Sequence, residues 1–501
     1  MKNKFYILIV SLLFIFNASF AQLINHQVVV VSGGNFSNTS EKVRIGTYKP
    51  FSKNYYQFDS IDGNFTNVAL VNEGKLFVNA KDILYKYDLD TYTRELQATI
   101  PGVSAIAVSG NKLVVARNYG ASDNYVQILN KTNLSFIASI PQVSDECHSL
   151  VIVGDTAYVS VPGNWMATTG KIAMINLATN TFITEIDLGA NGAGIKNLYV
   201  RGNFIYSINT ENKVITKLNT VDRSFTHNVL STANLSSPAG VWGDTLYTSL
   251  EGSQWSSENL GTLSLTSFTA FNTKKLTGNF SNSLLDTVTS KLFCAKTDYS
   301  SYGDFLVYDL QGNRLDSVRV GVSPDAFGID YRTTHAVDFS LSKTNALDTD
   351  VITISPFSTG TVTSYNWTIT PAVEFVEGTN SSSASPKIKA IAGNYSVKLN
   401  ANFASGSDVE YRKNILTINS TVSIADVTKS NVKLFPNPAT DVLTIYDFIG
   451  NAVFVDVQGK VVKSVSITEN TKINISNLEN GIYFVHLSNS TTKSVLKFVK
   501  Q

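Results

Sequence analysis

The sequence predicts an all-β fold, a seven-bladed β-propeller followed by two small β-sandwich domains. The first observation is composition: of 501 residues, 43% are hydrophobic and only 16% are charged, a balance that favours pleated surfaces and turns over helices. The second is a unit of four short strands that recurs along the N-terminal part of the chain. The third is strand-like alternation that continues after this repeat has ended, up to the last residue.

The repeat consists of a short apolar strand, a glycine turn, a second strand, a loop, a third strand, a turn and a fourth strand. Clear copies begin at Ile106, Leu150 and Leu198. Their first turns resemble Gly110-Asn111, a pair that supplies the positive φ of a two-residue hairpin. The period is about 37 to 48 residues, and four strands at this spacing are typical of a propeller blade.

Ring closure predicts the number of blades. Counting second strands gives seven units. The unit beginning near Val28 lacks its opening strand, whereas the strand Ala326–Tyr331 has no partners after it. Lending that last strand to the first unit closes the ring and removes an open edge. Six or eight blades stay possible, because the sixth unit around Leu260–Phe271 has a weak pattern.

This region resembles the seven-bladed propellers called YncE-like and related surface propellers of Bacteroidetes. The resemblance covers about residues 24–332 and rests on phrases such as GNKLVVARNYGASDNYVQILNKTNLSFIASIP and GVSPDAFGIDY. It specifies an architecture and leaves the ligand open.

The first residues have the pattern of an export signal. Lys2 and Lys4 precede an apolar run from Phe5 to Phe16, and Ser19 and Ala21 stand where a signal peptidase requires small residues. We therefore predict a signal peptide at 1–21. The further predicted boundaries are 22–334 for the propeller, 335–420 for the first sandwich and 421–501 for the second. No later segment is apolar enough to cross a membrane.

Charge and cysteine content restrict the possible partners. The net charge is +1 and the lysines are scattered, so no nucleic-acid partner is expected. Cys147 and Cys294 are the two cysteines, and two thiols so far apart make a poor disulfide framework. We expect both to be packed as free thiols.

Residues 335–420 carry a different β pattern. The strand Ser364–Thr370 reads SYNWTIT, and Gly393–Asn400 reads GNYSVKLN. Their alternation predicts one apolar face anchored by Trp367. The other residues predicted on this face are Tyr395, Val397 and Leu399. The tryptophan strand and the G-x-Y-x-V strand resemble a PKD-type immunoglobulin-like domain, which implies a spacer.

Residues 421–501 form the last predicted domain. VKLFPNPATDVLTI opens it, INISNLENGIYFVHL follows, and KSVLKFVKQ closes it. These phrases resemble the type A C-terminal sorting domain of the Bacteroidetes type IX secretion system. The residues that carry the resemblance are Pro436, Asn437, Pro438, Gly481, Tyr483, Lys497 and Lys500. The family implies recognition at the outer membrane, cleavage in the linker near 420–431, and display at the cell surface.

No motif of a known catalytic chemistry is present. The five histidines form no H-E-x-x-H, and no G-x-S-x-G or P-loop occurs. His148 follows Asp145, Glu146 and Cys147, residue types that could hold a metal, but adjacent residues of a strand point to opposite faces. We predict a loop leading into a strand there, and a non-enzymatic protein without catalytic residues, metal or cofactor.

Loop length distinguishes the two faces of the predicted propeller. The first-to-second and third-to-fourth strand turns are short and lie on one face. The second-to-third loops lie on the other face and are long in five units: Gly33–Glu41, Arg117–Asn124, Pro162–Gly170, Glu251–Asn259 and Thr297–Gly303. Exposed aromatic side chains in long loops indicate a docking surface, although any single ring could instead cover its own blade. The predicted ligand-binding residues are Asn35, Phe36, Arg117, Asn118, Tyr119, Asn164, Trp165, Trp255, Tyr299 and Tyr302.

Three functions fit this sequence. The first is capture of a small-molecule or glycan ligand outside the cell, and the related propellers suggest a corrinoid or another bulky nutrient passed to a TonB-dependent outer-membrane receptor. The second is adhesion or a role in a surface layer, with the propeller as contact head. The third is a propeller hydrolase or lyase, which requires carboxylates such as Asp145, Glu146, Glu251 and Asp325 to converge.

Overall fold

The contacts between residues in the structure, a computed structural model, divide the chain into two compact units, one ending at Asn419 and the other running from Ser420 to Gln501. The structure describes residues 23–38, 40–163, 168–230, 235–253, 256–421, 432–489 and 493–501. Within these ranges there is no α-helix, and the one helical turn is a short 3-10 segment at Gly189–Gly192.

The larger unit begins with seven four-stranded sheets. The strands of the first four blades are β1 (Ile24–Ser32), β2 (Val43–Lys49), β3 (Asn54–Ile61), β4 (Ala69–Asn72), β5 (Lys75–Ala80), β6 (Ile83–Asp88), β7 (Thr93–Thr99), β8 (Val103–Ser109), β9 (Lys112–Arg117), β10 (Val126–Asn130), β11 (Phe136–Ser139), β12 (Leu150–Val153), β13 (Thr156–Val161), β14 (Lys171–Asn176) and β15 (Thr181–Asp187). The remaining strands of the ring are β16 (Ile195–Arg201), β17 (Phe204–Asn209), β18 (Val214–Asn219), β19 (Phe225–Val229), β20 (Ser236–Trp242), β21 (Thr245–Ser253), β22 (Ser256–Ser264), β23 (Ala270–Leu276), β24 (Asn282–Asp286), β25 (Lys291–Lys296), β26 (Tyr302–Asp309), β27 (Arg314–Val322) and β28 (Pro324–Arg332).

The ring closes in the predicted way. The first blade has the order β28-β1-β2-β3, so the last strand of the propeller supplies the missing inner strand of the first blade. The innermost strands contact one another in the cyclic order β28, β4, β8, β12, β16, β20, β24 and back to β28. The seven-bladed prediction is therefore confirmed, and β20 to β23 form the blade whose sequence pattern is weak.

The apolar runs of the repeat form the second strands of the blades. In β5 and β9 every residue after the first lysine is buried, because each blade is covered by a neighbouring blade on both faces. Between the third and fourth blades, Val114 and Ile128 pack in one cluster with Val159 and Ile175. Similar clusters between successive blades form the core of the ring.

Residues 251–259 differ from the prediction. The sequence suggests a loop there, but Glu251 pairs with Glu258, and Ser253 pairs with Ser256. Strands β21 and β22 thus extend as one long hairpin beyond the blade. Gly, Asn and, to a lesser degree, Glu are depleted in strands, which is why the pattern is typical of a loop. In the structure the backbone groups of the two strands pair with each other instead.

A two-sheet sandwich follows the propeller in the same unit. Its strands are β29 (Val337–Leu341), β30 (Asn345–Leu347), β31 (Ile352–Ser358), β32 (Ser364–Thr370), β33 (Glu374–Phe375), β34 (Lys387–Lys389), β35 (Gly393–Phe403) and β36 (Gly406–Asn419). Trp367, Tyr395, Val397 and Leu399 all lie in its core, so the predicted apolar face is confirmed. The Trp367 indole N–H donates to the carbonyl of Ser383 at 2.9 Å, and the ring packs edge-on against Phe339.

A group of ionisable side chains joins the sandwich to the first blade. The propeller contributes His26, Lys49, Asp330 and Arg332, and the sandwich contributes Asp338, Asp408, Glu410 and Arg412. We call these eight residues the docking cluster. All are buried except Arg332, which is half-buried. Charges are removed from water only where partners compensate them, so this contact fixes the sandwich on the ring.

The pairing within the docking cluster is dense. Lys49 lies 2.9 Å from a Glu410 oxygen, and the Arg412 Nε lies 3.1 Å from the other. Arg412 also bonds Asp338, and its guanidinium is stacked between the rings of Phe339 and Tyr56. Four carboxylates meet three permanent cations here, so neutral donors such as the Tyr92 hydroxyl complete the set.

His26 is the residue of the docking cluster whose ordinary pKa lies near neutral pH. Its Nε2 lies 2.9 Å from Asp408. Burial and the nearby Lys49 lower the pKa of His26 despite the neighbouring Asp408 carboxylate. The imidazole is therefore neutral at physiological pH, and Nε2–H donates to the carboxylate.

The smaller unit is a second sandwich. Its strands are β37 (Lys433–Phe435), β38 (Val442–Tyr446), β39 (Gly450–Val455), β40 (Val461–Ile467), β41 (Lys472–Asn474), β42 (Gly481–Ser488) and β43 (Lys493–Lys500). They form the sheets β37-β38-β41 and β40-β39-β42-β43. Phe454, Tyr483 and Phe498 lie in the core between them.

Replacing the central cation of the docking cluster tests its contribution to stability. We expect Arg412→Ala to lower the free energy of unfolding by about 3–5 kcal/mol, because it leaves Asp338 and Glu410 buried with less compensation. Urea denaturation followed by tryptophan fluorescence measures this loss. Arg201→Ala is the control, since it removes the exposed pair with Asp244 and is expected to cost under about 1 kcal/mol. Equal losses in the two variants would contradict the role of the cluster.

Candidate functional site

The closing strand pair β1–β28 contains two irregularities, one near each end. Asn25 pairs with Tyr331 and Gln27 with Asp330, so His26 is an extra residue in its strand. Val31 pairs with Ala326 and Ser32 with Pro324, so Asp325 is an extra residue in the other strand. Bulges of this kind redirect a side chain out of the regular alternation. One bulge supplies the docking cluster, and the other supplies a pocket on the loop-rich face.

Asp325 lies in a narrow, half-buried position. A Cβ on Gly33 would come within 3.1 Å of the Asp325 carboxylate, so the close approach depends on glycine there. The Gly33 N–H donates to the Ser323 carbonyl at 2.6 Å and holds the two segments together. No hydrogen bond or ion pair to the Asp325 carboxylate is found among the described residues. Burial raises the pKa of Asp325 to about 7.

The pocket around Asp325 has a volume of about 410 Å³. It lies where the first blade, the segment leading to the second blade, and the last blade meet. Its lining residues are Gly34, Asn35, Phe36, Ser37, Asn64, Phe65, Thr66, Asn67, Ser281, Tyr299, Ser323 and Asp325. Three aromatic rings, several amides and hydroxyls, and one carboxylate thus share a concave surface. We call it the Asp325 pocket.

Local bonds position the walls of the Asp325 pocket. The Asn35 side chain accepts from the N–H of Ser37 in a tight turn, and the Asn64 amide donates to the Phe36 carbonyl at 2.7 Å. The Phe36 and Phe65 ring centroids lie 6.0 Å apart. Phe36 is 69% exposed and Tyr299 is 58% exposed. Both rings are therefore held at the pocket with much of their surface open to solvent.

The structure brings three of the predicted binding residues together, Asn35, Phe36 and Tyr299. Asn118 is half-buried, and Tyr119 is 77% exposed; both lie in a loop that does not line the pocket. Tyr302 is covered on one face by the Arg44 guanidinium, 5.1 Å from its ring. Asn164, Trp165 and Trp255 lie outside the described residues.

Arg117 is buried and directed into its own loop. Its guanidinium donates to the carbonyls of Pro101, Asp123 and Asn124. These three bonds tie the loop to the blade. In this position Arg117 supports the loop rather than lining the pocket.

Asp325 is the residue that the predicted binding set omits. It lies in the phrase GVSPDAFGIDY, where a bulge cannot be distinguished from an ordinary strand start. The available signal is Pro324, because proline within a strand indicates an edge or a bulge. Among the described lining residues no second acidic side chain accompanies Asp325. The convergence of Asp145, Glu146 and Glu251 with Asp325 is therefore not found in this pocket.

The two cysteines and His148 lie outside the Asp325 pocket and are packed in the interior or partly buried. Cys147 and Cys294 are free and buried, as predicted, and burial raises the pKa of Cys294 to about 12. Burial and Lys196 lower the pKa of His148 to about 4. Within the part of the chain that the structure describes, no cluster of three or more His, Cys, Asp or Glu side chains has the arrangement of a metal site.

In the smaller unit, the segment that contains Pro436 and Pro438 is tied to the last strand. The Asn437 side chain donates to the Lys497 carbonyl at 3.0 Å and accepts from the Val499 N–H at 2.9 Å. Ala439 continues this pairing with Lys500, whose side chain is buried. Gly481 begins β42, and Tyr483 on that strand stacks on Phe498. The residues predicted as a sorting signal therefore form one structural element.

Residues 433–501 match the family described as the secretion system C-terminal sorting domain. This segment is a type IX sorting domain. The match places the chain among proteins exported by the type IX secretion machinery and attached at the cell surface. No described helix has the length and apolar character needed to span a bilayer.

Solved structures similar to this chain are distant. A candidate 6-phosphogluconolactonase from Bacteroides fragilis is 14% identical, with 62% of this chain and 98% of that chain covered and a TM-score of 0.45. A protein of unknown function from Desulfotomaculum acetoxidans is 16% identical, with 61% and 98% covered and a TM-score of 0.44. Apo AztD from Citrobacter koseri is 11% identical, with 61% and 97% covered and a TM-score of 0.42. No curated protein sequence matches this chain.

Replacing Asp325 tests whether the pocket is maintained at a cost in stability. The pKa of this carboxyl is 3.8 in its ordinary state and about 7 in the fold, so folding takes up a proton between these values and stability falls as the pH rises through that range. We expect Asp325→Asn to raise the melting temperature more at pH 8 than at pH 5. Asp123→Asn, on an exposed carboxylate of the same face, is the control. A melting difference independent of pH would exclude a dehydrated carboxyl.

Replacing Asn437 tests the tie within the sorting domain. We expect Asn437→Ala to remove two hydrogen bonds to the last strand, lower the stability of this domain by about 1–2 kcal/mol, and decrease the amount of protein at the cell surface. Fractionation of cells that express the full chain measures the export. Gln458→Ala, at an exposed turn, should export as the wild type does. Normal export and stability of Asn437→Ala would show that the tie is dispensable.

Proposed function

We propose that this protein is a non-catalytic surface binding protein that captures a small polar ligand, of the size of one or two sugar rings, in the Asp325 pocket. The observation that carries the proposal is a half-buried carboxylate, without a partner among the described residues, in the lining of a concave surface that also carries exposed aromatic rings. A group of this kind is expensive to keep unless a ligand uses it.

The lining of the pocket supports a sugar-like ligand. Phe36, Phe65 and Tyr299 offer ring faces to the C–H groups of a sugar ring, and Asn35 and Asp325 offer hydrogen-bonding groups to its hydroxyls. The volume of about 410 Å³ lies near the small end of the range for ligand sites. No lysine or arginine belongs to the described lining, which favours a neutral or cationic ligand over an anionic one.

The Asp325 pocket fits the other two candidate functions less well. A corrinoid for delivery to a TonB-dependent receptor is larger than the pocket and would have to extend over the surrounding loops. Hydrolysis of a glycosidic bond uses two carboxylates, whereas the pocket supplies Asp325 alone among its described lining residues. Capture without turnover therefore has the better support.

A binding screen with pocket variants tests the proposal. We expect at least one neutral or amino sugar, from a panel of mono- and disaccharides, to bind the exported chain in isothermal titration calorimetry. Phe36→Ala and Asp325→Asn should each weaken that binding by about tenfold, because each removes an interaction worth about 1–2 kcal/mol.

Tyr119→Ala is the matched control, since Tyr119 is an exposed ring of the same face outside the pocket. Its affinity should stay within a factor of about two of the wild type. Cobalamin is included in the panel. If cobalamin binds and none of the sugars does, the ligand is a corrinoid and the sugar proposal is wrong. Unchanged binding in both pocket variants would place the site elsewhere.

A further inference from the structure

A second concave site lies at the junction of the propeller and the first sandwich. It has a volume of about 500 Å³. Its lining residues are Tyr56, Phe58, Asp59, Thr91, Tyr92, Thr93, Arg94, Tyr411 and Lys413. The outer strand β3, the turn between β6 and β7, and strand β36 of the sandwich all contribute. Clefts at domain junctions are common places for ligand sites. We call this the junction cleft.

The aromatic wall of the junction cleft is rigid. Phe58 stacks on Tyr92 with centroids 4.8 Å apart, and Tyr56 packs edge-on against Tyr92 at 5.6 Å. The Tyr56 hydroxyl donates to the Lys413 carbonyl at 3.2 Å and accepts from the Lys413 N–H at 2.9 Å. These bonds join the wall to the sandwich. The docking cluster next to it, which includes Glu410 and Arg412, keeps the two domains in register.

The charges of the junction cleft are positive in balance. Asp59, the one carboxylate among the described lining residues, is already engaged: it accepts from Arg94 at 2.9 Å and from the Tyr87 hydroxyl at 2.6 Å. The Lys413 ammonium has no hydrogen-bond or ion-pair partner among the described residues, and the side chain is exposed. Lys413 therefore adds an exposed cation to the lining of a cleft that also contains aromatic rings.

We propose that the junction cleft binds the acidic sugar unit of a glycan, with the carboxylate of a uronic acid at Lys413 and the sugar ring against Tyr56 and Phe58. Ring faces suit the C–H surface of a sugar, and a lysine beside them selects an anionic unit. The junction cleft thus favours an anionic ligand, whereas the Asp325 pocket favours a neutral or cationic one. The cleft exists only because the sandwich is docked on the first blade.

Titration of the exported protein with an oligogalacturonate tests this site, and the methyl-esterified form of the same oligomer separates charge from shape. We expect the acid to bind at least tenfold more tightly than the ester. Lys413→Gln should lower the affinity for the acid about tenfold and leave the affinity for the ester unchanged. Phe58→Leu should weaken both. Lys213→Gln, at an exposed lysine of another blade, is the control and should bind as the wild type does.

The outcomes distinguish this site from the Asp325 pocket. Phe36→Ala should bind oligogalacturonate as tightly as the wild type does, because Phe36 lines the Asp325 pocket and not the junction cleft. The junction cleft can therefore be tested even if the Asp325 pocket binds no sugar. No binding of the acid to the wild type, equal affinity for acid and ester, or wild-type affinity in Lys413→Gln would overturn the proposal. Equally tight binding of polyglutamate would also overturn it, since an acidic peptide would then be the ligand.

Discussion

Pairing of β1 with β28 is the interaction on which the rest of this structure depends. It joins residues that are separated by most of the propeller sequence and converts an open row of blades into a ring. A ring has no free sheet edge at this point, so the closing pair removes the edge that would otherwise pair with another chain. The apolar residues Val28–Val31 are fully buried on both faces as a result.

The same strand pair determines where polar groups are buried. Its two bulges place His26 in the docking cluster and Asp325 in the pocket, roughly 20 Å apart along the strands. Hydrogen bonding between the strands continues past each bulge, so the extra residue is held in place without disrupting the ring. One strand pair therefore supports both the domain junction and the Asp325 pocket on the loop-rich face.

The buried charges have different effects at the two bulges of the β1–β28 pair. In the docking cluster the carboxylates are compensated by Lys49, Arg332 and Arg412, and the gain is a defined orientation of the sandwich relative to the ring. At Asp325 no such compensation is found among the described residues, and the raised pKa records the cost. A polar group that weakens the fold is more consistent with binding than with architecture.

Much of the architecture is predictable from the sequence, because it depends on local periodicity. The glycine turns and the apolar second strands indicate four-stranded blades, and the unpaired strand Ala326–Tyr331 indicates ring closure. Trp367 and its neighbours identify the core of the first sandwich. The phrases around Asn437 and Tyr483 identify the sorting domain, since their order along the chain carries the signal. The loops are less predictable: three residues of the predicted binding set line one pocket, whereas residues 251–259 pair as a hairpin.

The sites depend on distances that a sequence does not contain. Asp408, Glu410 and Arg412 alternate along β36, which predicts a polar face but equally suits a solvent-exposed one; only docking against the first blade buries them. Asp325 becomes half-buried because a bulge turns it toward Gly33, a residue almost three hundred positions earlier in the chain. Arg117 is of a residue type that often binds ligands, but its guanidinium donates to carbonyls of its own loop and of Pro101. The sequence by itself therefore determined the blades, the core of the first sandwich and the sorting domain, because these depend on local strand patterns. The tertiary structure alone decided which charges pair and where side chains point at the bulges. Both depend on contacts between segments that lie far apart in the chain.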